Sequence, residues 1–174
     1  LSNRETDELL EESQQLESEY KKVRNVPRPI QVSYGSIGLV GKKSIVINEL
    51  HQLIGQLAFF HSYHDVRFVA IFEEEDYRDW EWMKWLPHFQ LPYSFAKGLV
   101  YNEQTRDQLL TSIYQSIRER DLDEEKEKKR FLPHYVFIVS NRNLIAEHVI
   151  MEYLEGKHTD IGISTIFVSD TKES

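Results

Sequence analysis

The chain has 174 residues and a formal net charge of −8, which argues against a nucleic-acid partner, because such proteins present a basic face. Hydrophobic residues make up 40% and aromatics 12%, which excludes a disordered chain and gives enough material for one domain's core. Cysteine is absent, which excludes a disulfide framework, a thiolate metal site and a cysteine nucleophile, and suits a reducing compartment.

No apolar run approaches the ~20 residues needed to cross a bilayer. The opening stretch LSNRETDELL lacks the character of a signal peptide. Because the first residue is Leu1, the expectation is a domain cut from a longer protein. Residues 4–22 read as a helix, with Leu9, Leu10, Leu16 and Tyr20 near helical spacing, and Pro27 and Pro29 stop it. Residues 1–25 are therefore expected to form a helix packed on, or leading into, a domain that spans 26–174. An apolar stretch at 30–40, interrupted by Gly35 and Gly38, predicts one or two short strands. Residues 50–60 carry a helical apolar pattern (Leu50, Leu53, Ile54, Leu57, Ala58), with Asn48 as its cap and Glu49 in the first turn.

Residues 66–72 have the β-branched and aromatic composition of a buried strand. Residues 73–95 mix acids, three tryptophans and two prolines, and read as a connection with a short helix. A small strand is predicted at 98–101. Residues 105–120 form an amphipathic helix, with Leu109, Leu110, Ile113, Tyr114 and Ile117 on one face. The charged run 121–130 reads as a solvated extension or loop. A strand at 135–139, a helix at 144–154 closed by Gly156, and a last strand at 163–168 complete the series. Such alternation predicts an α/β fold in three layers, a mainly parallel sheet covered by helices on both faces.

Parallel α/β sheets bind ligands at the carboxyl ends of their strands. The first crossing runs from a strand at 37–40 through Gly41 into a helix near Asn48, with a second strand from Val66. That spacing matches a P-loop unit, where GxxxxGK[ST] lets backbone amides wrap phosphates, Lys reaches the terminal phosphates, and Ser or Thr binds magnesium. Counted from Gly41, the second glycine falls on Val46, the lysine on Ile47 and the hydroxyl on Asn48. Only the first glycine survives. Lys42 and Lys43 lie nearby as possible anion contacts or as ordinary solvated lysines.

Three other groups come into question. His61 and His64, with Asp65, have a spacing zinc can use, against an ordinary helix-terminal role for the histidines. Trp80, Trp82 and Trp85, with Met83 between them, form either an exposed binding stripe or part of the core. Glu73, Glu74, Glu75 and Asp76 follow the second strand at the carboxyl edge and could serve acid–base or magnesium chemistry, or simply be solvated. No GxSxG elbow is present.

Several stretches, in order, carry a family resemblance: LAFFHSYHDVRFVAIF, then Leu86-Pro87-His88, then the helix ending Arg118-Glu119-Arg120, then GISTIFVSDTKES. Together they resemble the SpoIIIE/FtsK family of hexameric motor ATPases, and within it the EssC/YukB-type membrane ATPases of type VII secretion. The resemblance implies a RecA-like P-loop NTPase fold with degenerate motifs. Where the family carries the Walker B Asp-Glu, this chain has Ser140 and Asn141, and the family's sensor Gln falls on Asp170. A carboxylate at the Walker B position orients magnesium and the attacking water. The implied assignment is therefore no catalytic, cofactor or metal residue in this domain. ATP and magnesium would belong to other ATPase domains of the parent protein. Further implications are a place on the cytoplasmic face of the cell membrane, a hexameric parent and contacts with other domains of the same chain. Type VII membrane components and WXG100 substrates would be reached through the parent. The expected role is a scaffold that couples the membrane part to the active ATPase domains. The alternative is a nucleotide site completed by a neighbouring subunit or domain, using Lys42, Lys43 and the acids at 73–76.

Overall fold

The computed structural model describes residues 35–92 and 95–170. The helix expected at 4–22, and the boundary expected near residue 25, lie outside the described residues. Five strands form one sheet: β1 (Ser36–Gly41), β2 (Val66–Ile71), β3 (Leu99–Val100), β4 (His134–Val139) and β5 (Ile163–Asp170), in the order β1-β5-β4-β2-β3. Every pairing between them is parallel.

The central strands show why the sequence reads as it does. On β2, Val69 and Ile71 face one core while Val66, Phe68 and Ala70 face the other. On β4, Tyr135, Phe137 and Val139 join the first core, and Val136 and Ile138 the second. Strands buried on both faces need apolar residues at nearly every position, which produces the unbroken runs seen in the sequence.

Two long helices supply the cover. α1 (Lys43–Phe60) buries Val46, Leu50 and Ile54, and the last two join the second core with Trp80 and Phe89 from the connection after β2. α3 (Glu103–Asp121) buries Leu109, Leu110, Ile113 and Ile117 against the first. Between β2 and β3 the chain runs through 3₁₀ turns at Glu74–Asp76, Glu81–Trp85 and Pro87–Phe89, around the single turn of α2 (Tyr77–Trp80).

α3 starts earlier than the apolar pattern predicts, because Asn102 and Thr105 form a capping box. The Asn102 Oδ1 accepts from Thr105 N at 2.9 Å, and Thr105 Oγ1 accepts from Asn102 N at 3.1 Å. Asn102→Ala is expected to lower stability by about 1 kcal/mol, read from the urea unfolding midpoint.

The helix predicted at 144–154 is not continuous. A 3₁₀ turn at Asn143–Ile145 and the short α4 (Met151–Leu154) replace it. His148 Nδ1 accepts the Ile150 N–H at 3.1 Å, so a side chain takes a donor that a continuous helix would use. Gly156 follows α4 at φ +83°, the left-handed conformation that favours glycine. The charged run 121–130 folds back on itself, with Asp121 accepting from Lys126 Nζ at 2.8 Å and from Tyr153 Oη at 3.1 Å.

Candidate nucleotide site

The carboxyl edge is where a P-loop nucleotide would sit, and β1 delivers the chain to it. β1 ends at Gly41 and α1 begins at Lys43, so Lys42 is the whole connection. The N–H groups of Ile45 and Val46 both bond to the Lys42 carbonyl, at 2.9 and 3.0 Å. This corrects the expected helix start near Asn48. Val46 is 4% exposed, and a Cβ added at Gly41 would fall 2.8 Å from Val46 Cγ2. Residues 42–46, which in a P-loop stay out of helix so that their amides can wrap phosphate, are instead used to start α1. Ile47 is half-buried, and Asn48 is exposed within the helix and caps nothing.

Lys42 is exposed. Lys43 Nζ lies 2.7 Å from Asp76 Oδ1, and this hydrogen bond raises the lysine's pKa above its ordinary value. The four acids after β2 do not act as a group. Asp76 takes the lysine, Glu74 Oε1 accepts from Asn102 Nδ2 at 3.2 Å, and Glu73 and Glu75 face solvent.

β4 ends beside β2, and the N–H groups of Ser140 and Asn141 both reach the Ile71 carbonyl, at 2.8 and 3.1 Å. The buried Asn141 side chain accepts from Leu144 N at 3.2 Å, holding the turn that follows. At the place expected for Walker B the side chains are thus a hydroxyl and a turn-capping amide. Asp170, at the place expected for the sensor residue, pairs in register with Gly41 at the end of β5.

The remaining candidates separate. His61 Nε2 is buried with no hydrogen-bond partner among the described residues, and burial holds its pKa below the usual histidine value. Its carbonyl sits 2.7 Å from Nε2 of the buried His88. His64 is exposed, its ring packed on Tyr63. Among the described residues no three His, Asp or Glu side chains are placed to hold a metal ion. The tryptophans do not form one stripe. Trp80 and Met83 are fully buried, Trp82 packs half-buried on His51, and Trp85 is 77% exposed. Leu86-Pro87-His88 is a structural corner: the Arg67 guanidinium donates to the carbonyls of Pro87 and Gln90, and His88 seals the end of α1.

One polar cluster was not anticipated from sequence. At the amino edge, His134 Nε2 lies 2.8 Å from Ser164 Oγ. The buried Arg120 donates to the Ile161 carbonyl at 3.1 Å, and its guanidinium lies over the rings of Phe131 and Tyr135. Gly162 closes this corner at φ +80°, where an added Cβ would come within 2.8 Å of Arg120 Nη1. Burial first, then the positive charges of Arg120, His61 and Arg130, push the His134 pKa down to about 4.

No family model matches the chain. Over all 174 residues it is 71% identical to the ESX secretion system protein EccC of Geobacillus thermodenitrificans and 62% identical to the ESX secretion system protein YukB of Bacillus subtilis. It is 37% identical over 177 aligned residues to the type VII secretion system protein EssC of Staphylococcus aureus, with 99% of the chain covered. In each case it spans 12% of the relative's length. Among solved structures, EccC of Thermomonospora curvata (ATPases 2 and 3, with a signal sequence peptide) superposes with a TM-score of 0.52 at 15% identity. That match covers 79% of this chain and 25% of the other, and it establishes a shared fold.

Proposed function

The chain belongs to the EccC/YukB/EssC family of ESX, or type VII, secretion proteins, and from that premise we propose that it is an ATPase-like domain serving as a non-catalytic scaffold. In this reading it joins the membrane-attached part of a secretion motor to domains that hydrolyse ATP on the cytoplasmic face. Hexameric assembly, type VII membrane components and WXG100 substrates would then involve the rest of the parent protein. No helix among the described residues is long and apolar enough to cross a membrane, so any membrane attachment would lie elsewhere.

The observation that carries the reading is the single-residue link at Lys42. Phosphate binding by a P-loop depends on free backbone amides and on a lysine directed at the terminal phosphates. Here the amides of Ile45 and Val46 are already bonded within the turn, Val46 packs on Gly41, and Lys43 is held by Asp76. The lack of a carboxylate at Ser140 and Asn141 supports the same reading from the magnesium side.

Titration of the protein with Mg-ATP in a calorimeter should give no magnesium-dependent binding in the micromolar range. Such binding would overturn the proposal. The shared-site alternative asks Lys42 and Lys43 to reach a nucleotide held by a neighbour. In that case the parent protein should lose ATP turnover when both lysines become alanine; on the scaffold reading turnover is unchanged.

A further inference from the structure

The two long helices present different chemistry to solvent. On α3 the exposed positions include Glu103, Asp107, Arg118 and Glu119, the ordinary solvated face of a surface helix. On α1 the exposed positions from Ser44 to Phe60 carry one charge, Glu49, in a chain where charged residues make up 29%. Ile45 is 54% exposed, Phe59 83% and Phe60 60%, and the two phenylalanine rings meet edge-on with centroids 5.2 Å apart.

These residues are arranged as a seam. Ile45, Gln52 and Phe59 recur at intervals of seven, with Glu49 and Gln56 between them, the spacing by which one helix packs along another. At 1.5 Å per residue the stripe is about 21 Å long. Gly55 lies on its flank, and an added Cβ there would meet nothing within 4 Å. Glycine is unfavourable inside a helix, and packing within the chain does not require it at this position.

We propose that this face of α1 docks on the same face of a second copy of the chain, antiparallel, about a two-fold axis at Gln52. The occupant is assigned on charge and self-complementarity. Two chains of net charge −8 repel one another, and a nearly neutral stripe is where they can approach. In the antiparallel register Ile45 meets Phe59 of the second copy, and the amides of Asn48 and Gln56 can exchange hydrogen bonds. Glu49 faces Gly55, which leaves room for its carboxylate. Parallel pairing would instead set Glu49 against Glu49, and would align the two helix dipoles. A two-fold contact of this kind uses one patch on both copies. A single helix pair falls below the roughly 1,200 Å² of a standard stable interface, so the contact is weak and reversible in this chain. The inference is independent of whether the domain binds nucleotide.

Crosslinking and sedimentation test the pairing, and the absence of native cysteine keeps the crosslink clean. In Gln52→Cys the two introduced thiols lie opposite each other across the axis. Oxidation with diamide should give a disulfide dimer at least about 10-fold faster than for Gln115→Cys, on the exposed face of α3. Sedimentation of the unaltered chain should show a reversible dimer, which Phe59→Glu weakens at least about 10-fold. Raising salt from about 0.05 to about 0.5 M should tighten the dimer, because it screens two chains of like charge. A chain that stays monomeric up to about 1 mM overturns the inference. Equal oxidation of the two cysteine variants overturns it as well, as does a dimer that Phe59→Glu leaves unchanged. A dimer that salt weakens would be held by ion pairs, which this stripe lacks, and would overturn it in favour of another surface.

Discussion

Replacing Trp80 with alanine is expected to destabilise the domain by about 3–5 kcal/mol, the usual cost of truncating a buried tryptophan. Its indole is fully buried and stacks on Phe72 with ring centroids 5.1 Å apart and planes 1° from parallel. It also meets His51 edge-on, so its loss would open a cavity between α1 and the sheet. That cost approaches the whole stability of an ordinary domain, ~5–15 kcal/mol. Trp80→Phe should cost much less, because it keeps an aromatic on Phe72 and removes a buried indole N–H that has no hydrogen-bond partner among the described residues. Trp85→Ala, at an exposed position, should stay within about 0.5 kcal/mol. Urea unfolding of the three variants decides between core and surface roles. A larger loss at Trp85 than at Trp80 would contradict this packing.

Lowering the pH should weaken the fold through His134. Its pKa is about 4 in the folded protein against an ordinary 6.5, so the unfolded chain binds the proton more readily between those values. The stabilising contribution is complete above pH 6.5 and is lost as pH falls toward 4, reaching about 3 kcal/mol. By pH 5 about 2 kcal/mol of it is gone. The physical cause is the company His134 keeps. Arg120 comes from α3, Arg130 from the following loop and His61 from the end of α1. The Asp65 carbonyl accepts the His134 N–H at 2.8 Å. His61, itself shifted down by burial, adds loss of the same sign. His134→Gln can keep a hydrogen bond to Ser164 without titrating, so its unfolding free energy should fall less than the parent's between pH 7 and 5. Parallel pH profiles would remove His134 from the account.

The parts of the fold legible in the sequence were those where one physical demand dominates. β2, β4 and the first half of β5 are buried, and the apolar runs from Val66 and Tyr135 could hardly serve another purpose. α3 was equally plain, since Leu109, Leu110, Ile113 and Ile117 fall on one face and nothing local competes. The start of α1 was misread because Lys42 caps without a side-chain hydrogen bond, whereas Asn48 has the chemistry of a cap but sits mid-helix. The break near His148 was hidden for a similar reason: a histidine ring accepting from Ile150 is a three-dimensional event with no punctuation in the sequence.

At the candidate site, the residues at Ile47, Asn48, Ser140 and Asn141 could be read directly from the sequence. The closure of the loop could not, since it depends on Val46 meeting Gly41 and on Asp76 reaching back to Lys43. The cluster of Arg120, His134 and Ser164 joins one helix and two strands. No local pattern could have assembled it.

The one-residue link at Lys42 also bears on how this unit could be driven. A ligand shifts a conformational equilibrium only by its different affinity for two states. A strand that runs straight into its helix offers only the single residue Lys42 for a ligand at this edge to reshape. If the domain is the scaffold proposed above, displacement of β1 and α1 would be imposed through whatever the unit is attached to. On that scaffold reading, the unit would be a mechanical follower, with a stroke set by its neighbours and a stiffness set by its own sheet.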